Sequence, residues 1–119
     1  MIHWNCSTEQ ARATAAAMPL LLAAQQVTVL TVSGGQAVPG PSAEQLLKHL
    51  QYNGITAKPM TVGLEGRNTG EAILRAAKAA GSDLLVKGAF TQSRLRQMIF
   101  GGATSHILAH ADLPVLMAH

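Results

Sequence analysis

At 119 residues with no internal repeat, the chain is read as one domain spanning residues 1–119, long enough to bury roughly two-thirds of its unfolded surface. Aromatic residues make up only 3%, so Ala, Leu, Val, Ile and Met must fill the core. The net charge of +3 is mild and its nine Lys and Arg are scattered, which leaves no basic stripe for a nucleic-acid partner. The single cysteine, Cys6, excludes an intramolecular disulfide framework. No signal-peptide pattern follows Met1, and no apolar run approaches the ~20 residues that span a bilayer, so a cytoplasmic protein with no membrane partner is expected.

In chain order, Met1 to Trp4 reads as the end of a strand. Ser7 caps a helix that runs to about Gln25, with Pro19 predicted to kink or break it near Met18. The β-branched run from Val27 to Val32 reads as a buried strand. Ser33 to Ser42 holds three Gly and two Pro and is expected to be a mobile loop. Leu46, Leu47 and Leu50 lie at helical spacing between Ala43 and Tyr52, and Asn53-Gly54 supplies the stop. Ile55 to Val62 is a more polar strand, assigned to a sheet edge because Pro59 cannot donate a ladder hydrogen bond. Asn68 with Glu71 has the spacing of a capping box for a helix that buries Ile73, Leu74 and Ala77 and ends at Gly81. Asp83 to Lys87 is the next strand, Ser93 to Phe100 one short helical turn, Ala103 to Ala111 the last helix and Pro114 to Ala118 the last strand.

This βαβαβαβαβ alternation predicts an α/β fold, an open, mostly parallel sheet with helices on both faces. Ligands in such sheets bind at the carboxyl ends of the strands where strand order reverses, here the ends of the first and fourth strands. The fourth strand runs into Lys87-Gly88-Ala89-Phe90-Thr91 and, after Gly101-Gly102-Ala103-Thr104, into a helix. Glycine lets backbone amides approach an anion, and the free amides at a helix start point at it, so this stretch is a candidate phosphate site. The competing reading is that these glycines only allow a tight turn.

The segment GSDLLVKGAFTQSRLRQMIFGGATSHILAHADLPVLMAH resembles the C-terminal part of the universal stress protein family, and WNCSTEQARATAAAMPLL with VTVLTV resembles that family's first strand, helix and second strand. The resemblance is closest to the second half of tandem bacterial members and weakest from Gly34 to Asn68. It implies a Rossmann-like, five-stranded parallel sheet of order 3-2-1-4-5 and a homodimer formed through the last strand, Leu113 to Ala118, or a tandem partner domain covering that strand. An apolar edge strand otherwise stays bare. It implies ATP or AMP as ligand, with Mg²⁺ beside the phosphates, a role in stress response, and at most slow ATP hydrolysis. Four residues precede Asn5, fewer than family members carry, so the first strand reads as truncated: a fragment, a processed product or a gene with an upstream start.

Nucleotide-binding members carry G-x2-G-x9-G-[ST]. Gly88 and Gly101 match the first and third glycines, whereas Thr91 replaces the second and Gly102 the Ser/Thr, with Thr104 two residues on. Asn5 stands where members often place an acidic residue, and Cys6 where they have glycine. The nucleotide-binding residues implied are therefore Trp4, Asn5, Val32, Lys87, Gly88, Thr91, Gly101, Gly102, Ala103 and Thr104. Trp4 can stack on a base or belong to the core, Val32 can wall an adenine pocket or be strand core, and Lys87 can contact ligand or snorkel to water. Arg94 and Arg96 can reach phosphates or stay solvated. His106 and His110 have metal-binding spacing but no third ligand, and read as surface or dimer-facing residues. With Thr91 and Gly102 departing from the motif, two readings stand: a nucleotide-binding regulatory domain, and a protein-interaction module with a degenerate site.

Overall fold

The computed structural model describes residues 1–35, 37–90 and 102–119. Along them run β1 (Ile2–His3), α1 (Thr8–Ala23), β2 (Val27–Ser33), α2 (Ala43–Tyr52), β3 (Ala57–Gly63), α3 (Thr69–Ala79), β4 (Leu85–Gly88), α4 (Ala103–His110) and β5 (Val115–Ala118). All pairings are parallel, in the order β3-β2-β1-β4-β5, so both the alternation and the implied strand order hold. The turn expected between Ser93 and Phe100 lies outside the described residues.

Strand alternation splits the core in two. Ile2, Val27, Val29 and Val86 pack with Ala13, Ala17 and Leu21 of α1 and Leu46 and Leu50 of α2. Met1, Leu30, Val32 and Leu85 point the other way, onto Ile73, Ala76 and Ala77 of α3 and Ile107 of α4. Alanine at the contact positions of α1 and α3 lets both helices lie close to the sheet, which is how a core almost free of aromatics fills its volume. Each fully buried Leu or Ile contributes roughly 1.5–3 kcal/mol.

Local chemistry sets the element ends. Ser7 Oγ accepts from Gln10 N at 3.2 Å and starts α1. Ser42 and Gln45 form a reciprocal capping box on α2, which the sequence reading did not foresee. On α3, Asn68 Oδ1 accepts from Glu71 N at 2.8 Å, the cap expected. Gly54 (φ 83°) and Gly81 (φ 66°) take left-handed conformations just past α2 and α3. β3 pairs only with β2, so Pro59, opposite Val29, occupies an edge strand as expected.

Two expectations need correction. Pro19 neither breaks nor ends α1, which continues to Ala23. Pro19 and Ala15, whose carbonyl loses its amide partner, are both exposed, so water serves that carbonyl while Ala17 and Leu21 carry the buried stripe across the proline. The loop after β2 is also anchored to the β1–α1 turn: Val38 N donates to Asn5 O at 3.1 Å and Trp4 Nε1 to Pro41 O at 2.9 Å. Among the described residues no helix is long and apolar enough to cross a membrane.

Replacing Pro19 by Ala restores an amide donor inside an exposed helix face. The variant should be more stable by about 1 kcal/mol or more in urea denaturation; a lower midpoint would show that the proline holds a bend the packing needs.

Candidate functional site

Strand order reverses between β1 and β4, so the chain leaves these neighbouring strands toward opposite faces and opens a crevice at their carboxyl ends. Two built features flank it.

The first is a cavity of about 270 Å³ over the ends of β1, β2 and β3, with Trp4, Asn5, Val32, Thr31, Met60 and the first turn of α2 among its walls. This is near the lower limit of ligand pockets and ample for a purine base. Trp4 is 4% exposed and its indole N–H is already committed to Pro41, so it walls the cavity as a fixed apolar plate. Val32 is likewise buried strand core with one side on the cavity. Asn5 Oδ1 accepts from Ser7 N at 3.2 Å, which leaves the Asn5 amide NH₂ as a donor with no acceptor among the described residues. Cys6 follows with φ 67°, the left-handed region. That conformation explains why glycine suits this position in family members, and costs a cysteine about 1–2 kcal/mol. Gly40 lies so close to the Cys6 carbonyl that a Cβ there would stand 2.1 Å from it.

The second feature is the end of β4. Gly88 has no room for a side chain: a Cβ would stand 2.6 Å from the Gln10 amide nitrogen and from the Glu9 carbonyl carbon in the first turn of α1. The Gly88 amide donates to Gln10 Oε1. This directs Gln10 Nε2 at His3 Nδ1, 3.5 Å away, so His3 must accept there and carries its proton on Nε2. Burial, and then the nearby Lys87 charge, lower the His3 pKa to about 3, keeping the ring neutral. Beyond Gly88, Ala89 N donates to Ala118 O at 2.8 Å and Phe90 N to Thr104 Oγ1 at 3.1 Å. Phe90 has φ 57°, in the left-handed region.

Lys87 does not snorkel. It is 4% exposed, and its Nζ donates to Gly88 O at 2.9 Å and approaches Thr104 Oγ1 at 3.5 Å. Desolvation lowers its pKa to about 8. Gly102 caps α4 with no side-chain hydrogen bond, unlike the caps of the other three helices. Among the described residues the amides of Gly102, Ala103 and Thr104 have no acceptor, and they leave a positive helix end whose Thr104 hydroxyl meets the end of β4.

The structure thus divides the expected residues. Trp4, Asn5 and Val32 wall the cavity; Lys87, Gly88, Gly102, Ala103 and Thr104 gather at the junction of β4 with α4; Thr91, Gly101, Arg94 and Arg96 lie outside the described residues. His3, a cavity wall that Gln10 links to Gly88, joins the two halves. Neither His3 nor Gln10 was foreseen, and a polar pair at positions 3 and 10 has no motif to announce it. His106 and His110 stack at 4.2 Å on α4, and among the described residues no cluster of three metal-ligating side chains occurs.

Comparison with known proteins agrees with this fold. The model of the universal stress protein family matches residues 5–119. Stress response protein NhaX of Bacillus subtilis (strain 168) is 37% identical over 54 residues, a match that covers 45% of this chain and 32% of that protein, so the chain spans about a third of that relative's length. Among solved structures, a universal stress protein in complex with cAMP is 19% identical, with a TM-score of 0.71 over 99% of this chain and 93% of its own. A universal stress family protein from Burkholderia pseudomallei is 22% identical, with a TM-score of 0.67 over 98% of this chain and 91% of its own. These likenesses establish the fold.

Two tests follow from the packing around Gly88. Gly88→Ala should destabilise the protein by about 1–3 kcal/mol, because the Cβ meets backbone rather than a flexible side chain; an unchanged denaturation midpoint would refute the close approach of α1. His3 titrates at about 3 folded and near 6.5 unfolded, so its contribution to stability is complete above pH 6.5 and is lost as pH falls toward 3. Wild type should therefore lose more stability than His3→Gln between pH 7 and 5, and parallel curves would show that His3 charges freely in the fold.

Proposed function

The chain belongs to the universal stress protein family, and from that premise we propose that it is a regulatory domain of the stress response that binds an adenine nucleotide, ATP or AMP, at the β1/β4 crevice. One observation carries the reading: a base-sized cavity and an uncapped helix start flank the same strand-order reversal. The base occupies the cavity against Trp4 and Val32, with the Asn5 amide as donor to a ring nitrogen or a ribose oxygen. The phosphates extend out of the cavity toward the amides of Gly102, Ala103 and Thr104. Gly88 shapes this arrangement through packing, since its amide is held by Gln10. That a solved relative binds cAMP and another bears the name of a stress response protein supports the assignment.

The first turn of α4 offers amides and hydroxyls and no general base, and Asn5 stands in place of an acid, so the site is built for binding, with at most slow hydrolysis. Mg²⁺, if it accompanies the ligand, is held by the phosphates. Signalling passes through assembly in the cytoplasm. β5 is half-buried, carries Val115, Leu116 and Met117, and has one unpaired edge among the described residues. A second copy or a tandem partner domain covers Leu113 to Ala118 in our reading.

The alternative, an interaction module with a degenerate site, draws support from the amides of Gly88, Ala89 and Phe90, all of which are consumed within the protein.

Ala103→Pro separates the two. Gly102 has φ −108° and ψ 143°, which suits the residue before a proline, and the first helical position tolerates proline. The variant keeps the helix and loses one amide. In thermal-shift titrations, wild type should melt higher with millimolar ATP or AMP, and Ala103→Pro should bind about tenfold or more weakly with an unchanged ligand-free melting temperature. No shift for wild type would favour the interaction module. For the assembly, Val115→Lys should convert a dimer to a monomer by light scattering; a persisting dimer would place the contact elsewhere.

A further inference from the structure

Among the described residues, Lys87 is a buried cation with no ion-pair partner. It is 4% exposed, yet its partners, Gly88 O and Thr104 Oγ1, are neutral. The six acidic residues are Glu9, Glu44, Glu65, Glu71, Asp83 and Asp112. All six lie in the described residues, and the ion pair formed among those residues is Glu65–Arg67. Residues 91–101 hold no acid and add Arg94 and Arg96. None of these six side-chain carboxylates therefore forms an ion pair with Lys87. A buried, unpaired ammonium is costly, and methionine of similar length would fill the same space without that cost.

The position of the charge indicates what it serves. Thr104, which the ammonium approaches, lies in the first turn of α4, where Gly102 leaves the amides uncapped. Resting on the nucleotide reading above, we propose that Lys87 is the specificity-determining residue of the site, a standing positive charge beneath the start of α4 that selects ligands bearing a multiply charged phosphate over their uncharged counterparts. It acts through its field and through Thr104. Because burial brings its pKa down to about 8, ligand binding also draws a proton onto Lys87 at mildly alkaline pH. His3 on β1 faces it and stays neutral; α1 contributes Gln10, α4 Thr104 and β5 Met117, none of which titrates. The Met1 amino group, bonded to Leu84 O, has a pKa lowered by burial, and it remains in a Lys87 variant.

The experiment is isothermal titration of wild type and Lys87→Met with ADP and adenosine from pH 7.5 to 9.5, where the ADP phosphates are already ionised, and with inorganic pyrophosphate at pH 7.5 alone. Wild type should bind ADP about tenfold more weakly at pH 9.5 than at 7.5, with proton uptake seen in buffers of different ionisation heat, while adenosine binding stays flat. Lys87→Met should bind ADP about tenfold more weakly at pH 7.5, show no pH dependence, and bind adenosine as wild type does. An ADP affinity and pH profile unchanged by Lys87→Met would overturn the inference and leave the nucleotide reading intact. Pyrophosphate binding that depends on Lys87, without any for ADP or adenosine, would support the inference and sink the nucleotide reading. Failure of all three probes would overturn both. Lys87→Met should melt at or above wild type; if it does not fold, the wild-type pH profile decides alone, a flat profile without proton uptake counting against the inference.

Discussion

The fit of the first turn of α1 against the end of β4 is the constraint on which the rest of the site depends. Gly88 leaves no space for a Cβ, and Gln10 uses the closeness to take the Gly88 amide and to set the His3 tautomer. That fit requires α1 to begin where it does, which rests on Ser7 as cap and on the left-handed backbone at Cys6. Thr104 and Ala118 hold the next two amides from the other side. With three successive peptide units fixed, the chain leaves the sheet in one direction and the start of α4 is held beside the crevice.

This rigidity has a chemical consequence. Glycines in such a loop invite the idea that their amides grip a phosphate, yet the described part of the loop spends its amides on the protein itself. The free donors come instead from the helix that follows. The electrostatics reinforce them, since a helix start and a buried ammonium both favour an anion and, among the described residues, no side-chain carboxylate pairs with that ammonium. His3 walls the cavity and is tied through Gln10 to Gly88, so the cavity and the end of β4 belong to one packed unit.

Much of this was legible in the sequence because the physics was local. Strand runs, glycine stops and the edge assignment of Pro59 each follow from one or two residues. Pro19 misled because its effect on a helix depends on whether the orphaned carbonyl faces water, which only tertiary packing decides. Lys87 was legible in part: alternation puts it on the face of Leu85, toward α3 and α4, but a lysine ending a strand normally escapes to solvent. The anchoring of the loop after β2 and the contribution of Met60 and the α2 start to the cavity depend on contacts across the region where the family resemblance was weakest. The Gln10 bridge joins positions 78 residues apart, beyond any sequence motif.

The most direct test of the central claim is a nitrogen-15 NMR titration of the protein with ATP. The account predicts that the amides of Gly102, Ala103 and Thr104 and the side-chain amide of Asn5 shift together and saturate with one affinity, since phosphates and base belong to one ligand. Shifts confined to other surfaces, or none at millimolar nucleotide, would contradict it.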